Sequence, residues 1–225
     1  MDMLRAMRER HSVRQYLDRP IEDRALESLR VEIVACNREG GLNIQLIAGE
    51  PETFGGLPAR LKHFARVRNY FALVGPEGSA LEERLGWYGE RLVLTAQALG
   101  LNTCWVAASY SRSKCKASVE TGEKLVCVIA VGYGATQGKP HKSRAFDAVC
   151  RWEGEAPAWF RRGVEAALLA PTALNQQRFL FTLLPESRVL AQPTGGSYAR
   201  LNLGIAKYHF HLAAGGENFR WAERT

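Results

Sequence analysis

The sequence contains no long hydrophobic run. No apolar stretch among its 225 residues approaches the roughly 20 residues that a membrane-spanning helix needs. The first ten residues, Met-Asp-Met-Leu-Arg-Ala-Met-Arg-Glu-Arg, also lack the apolar core of a secretion signal. Together these absences favour a cytoplasmic protein that does not associate with a membrane.

Paired cysteines are absent as well. The chain has five cysteines, an odd number, and no two of them form a C-x-x-C pair. This pattern indicates neither a zinc site nor a disulfide framework, and reduced thiols in a cytosolic protein fit it better. Cys127, inside the apolar run from Leu125 to Val131, is typical of a buried strand residue.

The common catalytic signatures are missing too. The sequence has no G-x-S-x-G, no H-E-x-x-H and no phosphate-binding loop of the Walker type. His209 and His211 lie two residues apart on a predicted helix, where they cannot share one metal-binding face. We therefore predict no metal site and no catalytic side chain of the chain's own.

Positive charge is in excess, but it is not concentrated. The formal net charge is +7 and the isoelectric point is about 9.3. The 30 Lys and Arg residues are scattered along the chain instead of forming one long tract, which argues against binding to nucleic acid. A phosphate-bearing small molecule, or solubility alone, explains the same excess more simply.

Hydrophobic periodicity predicts helices and strands along the whole chain. Apolar residues at three- and four-residue spacing indicate an amphipathic helix over residues 78–99, which Gly100 would end. Short apolar runs predict strands, and longer amphipathic runs predict further helices. The predicted strands are 43–47, 70–74, 125–131 and 179–184, and the further helices are 1–8, 20–36, 159–170 and 199–214.

Two basic segments are candidates for a phosphate site. Arg10, Ser12 and Arg14 lie in the run Arg-His-Ser-Val-Arg, and in an extended chain, whose side chains alternate, all three would point to one side. Guanidinium groups suit phosphate because their planar fork donates two parallel hydrogen bonds. The second candidate, Lys142 and Arg144, follows a Gly-Tyr-Gly strand end. Each segment is also compatible with a solvated basic turn or loop.

A turn at the end of a predicted helix is the third candidate. Pro171, Thr172, Ala173 and Asn175 lie where the helix ends and the chain reverses before the next strand. Small residues there would let the backbone approach a planar ring, and Asn175 and Gln177 can bond either to a ligand or to the chain itself. Taken alone, the run is equally compatible with a plain loop.

These motifs resemble those of the FMN-dependent nitroreductase family. That family combines an N-terminal R-x-S-x-R, a helix leading into G-L-x-T-x-W, and a helix-terminal P-S/T-x-x-N-x-Q turn. This chain holds them at residues 10–14, 100–105 and 171–177. The resemblance covers nearly the whole chain. It implies an α+β fold in which a central, mostly antiparallel sheet is flanked by helices.

The resemblance also implies which residues would hold FMN. Both basic segments would bind the phosphate, with Lys139 close enough to substitute in the second. Trp105 would pack mainly in the core. The backbone at Ala107 and Ala108 would face the reactive N5 edge of the ring, where relatives commonly hold an acidic residue followed by glycine. The implied cofactor-binding residues are Arg10, His11, Ser12, Arg14, Trp105, Ala107, Ala108, Lys142, Arg144, Pro171, Thr172, Ala173, Asn175 and Gln177.

Two segments of the second half echo the first half. Residues 41–45 resemble residues 173–177, and the run from Gly86 resembles the run from Gly196. In this family two subunits normally build each FMN site together, one giving R-x-S-x-R and the other the helix-terminal turn. Because R-x-S-x-R occurs once here, the chain resembles fused, pseudo-dimeric members, which implies a monomer. The expected halves are residues 1–150 and residues 151–225, the second completing the FMN site.

The function that the resemblance implies is that of an oxidoreductase. NAD(P)H would deliver hydride to tightly bound FMN and leave, and an electron-poor acceptor such as a nitroarene, quinone or enone would then occupy the same face. Two other functions stay open, namely a flavin-binding, storage or sensing protein with little turnover and a cofactor-free basic interaction protein. A narrower alternative is a specialised flavin reaction, such as reductive dehalogenation or cleavage of the flavin ring.

Overall fold

The computed structural model describes residues 2–55 and 64–223. Within these residues the chain forms five α-helices and eight β-strands. The helices are α1 (Met3–Glu9), α2 (Asp23–Gly40), α3 (Leu81–Ala98), α4 (Ala158–Ala167) and α5 (Ala199–Ala214). The strands are β1 (Gln45–Ile47), β2 (Tyr70–Pro76), β3 (Asn102–Val106), β4 (Glu123–Gly132), β5 (Cys150–Arg151), β6 (Phe179–Leu184), β7 (Arg188–Pro193) and β8 (Arg220–Trp221).

The first sheet has the strand order β1-β2-β4-β3, and all its neighbouring strands run antiparallel. Both β2 and β4 are buried over most of their length, as their continuous apolar sequences predicted. One face packs Phe71 and Ile129 against α2 and α3, and the other packs Tyr70 and Ala72 against the segment that follows α1. This sheet is therefore the middle layer of the first half of the chain.

The second sheet has the order β5-β6-β7-β8, with an antiparallel central pair and parallel outer pairs. Helices α4 and α5 cover it with aromatic side chains, and the rings of Phe181 and Phe210 stack 4.7 Å apart. Strand β7 was not predicted from the sequence. The hairpin between β6 and β7 turns at Glu186 and Ser187, whose φ angles are 60° and 53°. Such a turn usually contains Asn-Gly or Asp-Gly, and because neither pair is present here, the sequence lacked the usual signal of a hairpin.

The predicted α+β class, with helices flanking an antiparallel sheet, is confirmed. The strands are divided between two sheets instead of forming one central sheet, the first drawn from residues 45–132 and the second from residues 150–221. Helix α2 runs four residues beyond the predicted end at Cys36, and all five cysteines are free. Among the described residues there is no helix whose length and apolar content would let it cross a membrane.

Helices α3 and α5 cross in backbone contact, and glycine permits this. A Cβ atom on Gly204 would lie 2.0 Å from the Glu83 carbonyl oxygen, and one on Gly86 would lie 2.1 Å from the Leu201 carbonyl oxygen. The ammonium of Lys207 lies 2.6 Å from Glu83 Oε1 and joins the two helices at the same place. The last helix of the chain therefore packs directly on the central helix.

In each of the two pairs of similar sequence segments, the two members have different local structures. Gly86 is inside α3, whereas its counterpart Gly196 lies in the loop before α5 with φ 93°. Gly41 ends helix α2, whereas Ala173 begins a single 3-10 turn. At both places the match in sequence does not correspond to a match in backbone conformation.

We predict that Gly204→Ala lowers the free energy of unfolding by at least about 2 kcal/mol, because the added methyl group would overlap the α3 backbone and force the helices apart. Urea denaturation measures this change. Gly78→Ala is the matched control, since Gly78 is exposed and, apart from its chain neighbours, no described residue has an atom within 4 Å of the position of its Cβ. Equal stability of the two variants would contradict the close crossing.

Candidate functional site

Two adjoining cavities lie where the segment after α1 meets the turn after α4. The first has a volume of about 620 Å³ and the second of about 380 Å³. They form one continuous depression because they share the lining residues Ser12, Arg14, Pro171, Thr172 and Leu174. We call the first the cationic cavity and the second the apolar cavity, after the residues described next.

The cationic cavity gathers positive charge, and no carboxylate is found among the described residues that line it. Its basic and titratable lining residues are Arg10, His11, Arg14, Lys139 and His141. The segment that carries the first three runs extended beside β3, where Val13 N donates to Thr103 O at 3.0 Å. Burial, together with the positive charges of Arg10 and His141, lowers the pKa of His11. Such a surplus of cations attracts an anion.

Arg10 is deeply buried at the wall of the cationic cavity. Its side chain is 3% exposed, and its Nε has no hydrogen-bond partner within the described part of the chain. The carboxylate of Glu90 lies 3.9 Å from this Nε. Burial lowers the pKa of Arg10, and the charge of Glu90 opposes that shift. An unsatisfied buried donor costs about 1–3 kcal/mol, so a ligand with acceptor atoms would stabilise Arg10 where it lies.

The apolar cavity is built largely from small or rigid side chains. Trp105, Ala107 and Ala108 come from β3 and the turn that follows it, and Ala173 lines the cavity from the turn after α4. The indole of Trp105 is held in place because its Nε1 donates to Glu90 Oε2 at 2.9 Å. A cavity lined in this way accommodates a planar aromatic group with few polar contacts.

The turn after α4 has an unusual backbone conformation. Leu174, Asn175 and Gln177 have φ angles of 52°, 54° and 48°, in the left-handed region that residues other than glycine seldom adopt. Leu174 is also 88% exposed at the edge of both cavities. Asn202 steadies the turn, because its Oδ1 accepts from Ala173 N at 3.0 Å. Backbone strain of this kind is concentrated at functional sites in proteins.

Gln177 is fully buried behind this turn and ties it to the basic loop. Its Oε1 accepts from the backbone N of Arg144 at 2.6 Å, and its Nε2 donates to Leu168 O at 2.9 Å. Asn175 Nδ2 donates to the backbone carbonyl of Lys142 at 2.7 Å. The loop therefore meets the turn through backbone atoms and through the side chain of Arg144, whose Nη1 donates to Gln177 O at 3.3 Å, while Lys142 is an exposed residue.

The structure brings together all the residues predicted for the site except Lys142, Arg144 and Gln177, which line neither cavity. Lys139 and His141 line the cationic cavity from the basic loop instead. The sequence signalled that loop through its charge but not which of its side chains turn inward. Other lining residues had no local signal, because they reach the apolar cavity only through the docking of α5: Ser197, Tyr198, Leu201, Asn202 and Ile205.

The class of protein follows from a comparison of the sequence with models of known families. The family model described as "Putative TM nitroreductase" matches residues 2–214, which is nearly the whole chain. The chain belongs to this nitroreductase family. No protein among those with curated functions matches the sequence.

Solved structures share the fold. A "putative nitroreductase" from Thermotoga maritima has a TM-score of 0.67 and 21% identity, with 100% of this chain and 90% of that chain covered. A "putative nitroreductase in complex with FMN" from Desulfovibrio desulfuricans has a TM-score of 0.52 and 15% identity, with 66% and 95% covered. An "FMN-dependent nitroreductase" from Clostridium difficile has a TM-score of 0.50 and 16% identity, with 61% and 90% covered.

Proposed function

We propose that the protein is an FMN-dependent oxidoreductase that takes hydride from NAD(P)H and passes electrons to an electron-poor acceptor such as a nitroarene, quinone or enone. The observation that carries this proposal is the joining of a cationic cavity to an apolar cavity along Ser12, Arg14 and Thr172. FMN has the same division, with a phosphate at one end and a planar ring at the other. Membership of the nitroreductase family and the FMN bound by the Desulfovibrio protein support it.

The cationic cavity fits the phosphate of FMN. Arg14 and Lys139 offer cationic donors, and Arg10 has a buried Nε that lacks a partner within the described residues. Hydrogen bonds from ionised donors to phosphate oxygens are about twice as strong as those between neutral groups. A phosphate in this cavity would meet donors without meeting a carboxylate among the described lining residues.

The apolar cavity fits the ring. Ala107 and Ala108 would lie along one edge of the ring, and the turn from Pro171 to Ala173 would approach it closely because its side chains are small. Bound FMN supplies hydride chemistry, which amino-acid side chains do not supply. The role of the protein chain is then to bind the phosphate and to orient the ring. It would also leave one face of the ring open to the nicotinamide and afterwards to the acceptor.

We further propose that one chain completes one FMN site and is a monomer, in the manner of a fused pseudo-dimer. The segment from Arg10 to Gln15 and the turn from Pro171 to Asn175 line the same cavity of a single chain. These are the two contributions that the family normally divides between subunits. The close crossing of α3 and α5 joins the corresponding halves of the chain and supports the same conclusion.

We predict one FMN bound to each monomer of 25.0 kDa, because each half of the site occurs once in the chain. Native mass spectrometry at low micromolar concentration measures the mass of the complex, and acid release of flavin gives the ratio independently. Two flavins per chain, or a stable dimer that loses flavin on dilution, would contradict the single-chain site.

Arg14→Ala should weaken FMN binding by roughly ten- to a hundredfold, because it removes a charge-assisted contact where the two cavities join. Titration of the apo-protein with FMN, followed by flavin fluorescence, measures the affinity. Lys142→Ala is the matched control, since Lys142 is an exposed residue of the nearby basic loop that lines neither cavity. Weaker binding in Lys142→Ala with unchanged affinity in Arg14→Ala would indicate that the phosphate binds at the basic loop instead.

The redox function is tested by the absorption spectrum of the FMN-loaded protein before and after anaerobic addition of NADH or NADPH. We expect the visible band of oxidised flavin to disappear and to return when a nitroarene or quinone is added. Flavin that neither nucleotide reduces would overturn the oxidoreductase proposal in favour of storage or sensing. Colourless protein that binds nucleic acid with a strong dependence on salt would favour the basic interaction protein.

A further inference from the structure

We propose that His209 is a positioning residue for the cofactor phosphate. It shares a proton with Glu90, so that the pair has no net charge and the positive charge of Arg10 stays available to the phosphate. The inference rests on the proposed function, since it concerns the same FMN site. It gives a role to Arg10, Glu90 and His209, three buried polar residues for which an apolar core has no need.

Glu90 is a fully buried carboxylate on α3 with donors around it. His209 Nε2 lies 2.9 Å from its Oε1, and Trp105 Nε1 donates to its Oε2 at 2.9 Å. Arg10 Nε lies 3.9 Å from Oε1, and both Glu90 and His209 are 0% exposed. Arg10 lines the cationic cavity and Trp105 lines the apolar cavity, so this carboxylate lies behind both parts of the site.

The hydrogen bonds of His209 determine how many protons it shares with Glu90. Nδ1 lies 3.0 Å from the carbonyl oxygen of Ala166, which can only accept, so Nδ1 carries a proton. The contact between Nε2 and Glu90 Oε1 also needs one proton, which is either on the imidazole or on the carboxyl group. In both arrangements the pair of His209 and Glu90 has no net charge.

Arg10 is therefore the uncompensated charge of this three-residue cluster. A guanidinium stays protonated in proteins, so Arg10, Glu90 and His209 together carry one net positive charge beside the cationic cavity. The separation of 3.9 Å and the Nε without a partner in the described residues agree with a carboxylate whose bonds are made elsewhere. Without the proton shared with His209, Glu90 would cancel the charge of Arg10 and weaken its attraction for a phosphate.

The test compares FMN with riboflavin, which has the same ring and no phosphate, and the quantity measured is the ratio of the two dissociation constants. His209→Gln keeps a neutral donor toward Glu90 but cannot supply the shared proton, so the carboxylate charge is freed to cancel Arg10. We expect this variant to bind FMN about tenfold more weakly than the wild type, with riboflavin binding unchanged.

The same His209→Gln change, made in the Glu90→Gln variant, separates this charge effect from a simple loss of packing. In Glu90→Gln no carboxylate can be freed, so His209→Gln added to it should leave the preference for FMN over riboflavin as it was. The double variant should thus regain the preference that His209→Gln alone loses. His211→Gln is the matched control on the same helix, because His211 packs against Trp87 and Phe219, with ring centroids 5.1 Å and 6.1 Å away, and should keep the wild-type preference.

Thermal unfolding without flavin checks that each variant is folded. If His209→Gln alone does not fold, the comparison of Glu90→Gln with the double variant decides, and unequal preferences there overturn the inference. A wild-type preference in folded His209→Gln, or no recovery in the double variant, also overturns it while the proposed function stands. Wild-type protein that binds no FMN would overturn the proposed function as well.

Discussion

The backbone contact between α3 and α5 is the constraint on which the geometry of the site depends. Gly86 and Gly204 let the helices approach until a Cβ atom at either position would overlap the other backbone. At this crossing His209 on α5 reaches Glu90 on α3, with Nε2 2.9 Å from Oε1. The same docking brings the start of α5, with Asn202, to the wall of the apolar cavity. The crossing therefore links the packing of the core to the geometry of the site.

Polar groups in the core connect this crossing with the two cavities. Glu90 contacts Trp105 on one side and faces Arg10 on the other, so a single buried carboxylate touches the walls of both cavities. Asn202, at the start of α5, likewise connects two segments, since its side chain accepts from Ala173 N in the turn after α4 and donates to Ser197 O in the loop before α5. Buried polar groups are costly unless they are bonded, so these bonds favour the arrangement of the elements that allows them to form. They therefore specify the cavity walls as well as stabilising them.

Much of the fold and part of the site could be predicted from local sequence. The apolar periodicity of α3 and the continuous apolar run of β4 depend on which face of each element is buried, and that is written into the order of residues. The extended run from Arg10 to Arg14 likewise carries its alternation in its sequence. In contrast, Lys142 and Arg144 were predicted from their charge and from their position after the Gly-Tyr-Gly strand end, and neither feature tells which residues of a loop line a cavity. Gln177 is a buried anchor because the loop folds back over it.

The sequence by itself determined the α+β class, the buried strands and the two motifs whose side chains meet at the site, because each follows from local periodicity or from residue type. The resemblance predicted that these two motifs, about 160 residues apart, contribute to one site, and the tertiary structure shows that they line the same cavity. Tertiary structure alone decided that His209, which is unremarkable on a helical pattern, meets Glu90. Such encounters depend on how closely two helices dock, and that distance is set by pairs of small residues whose partnership a linear sequence does not record.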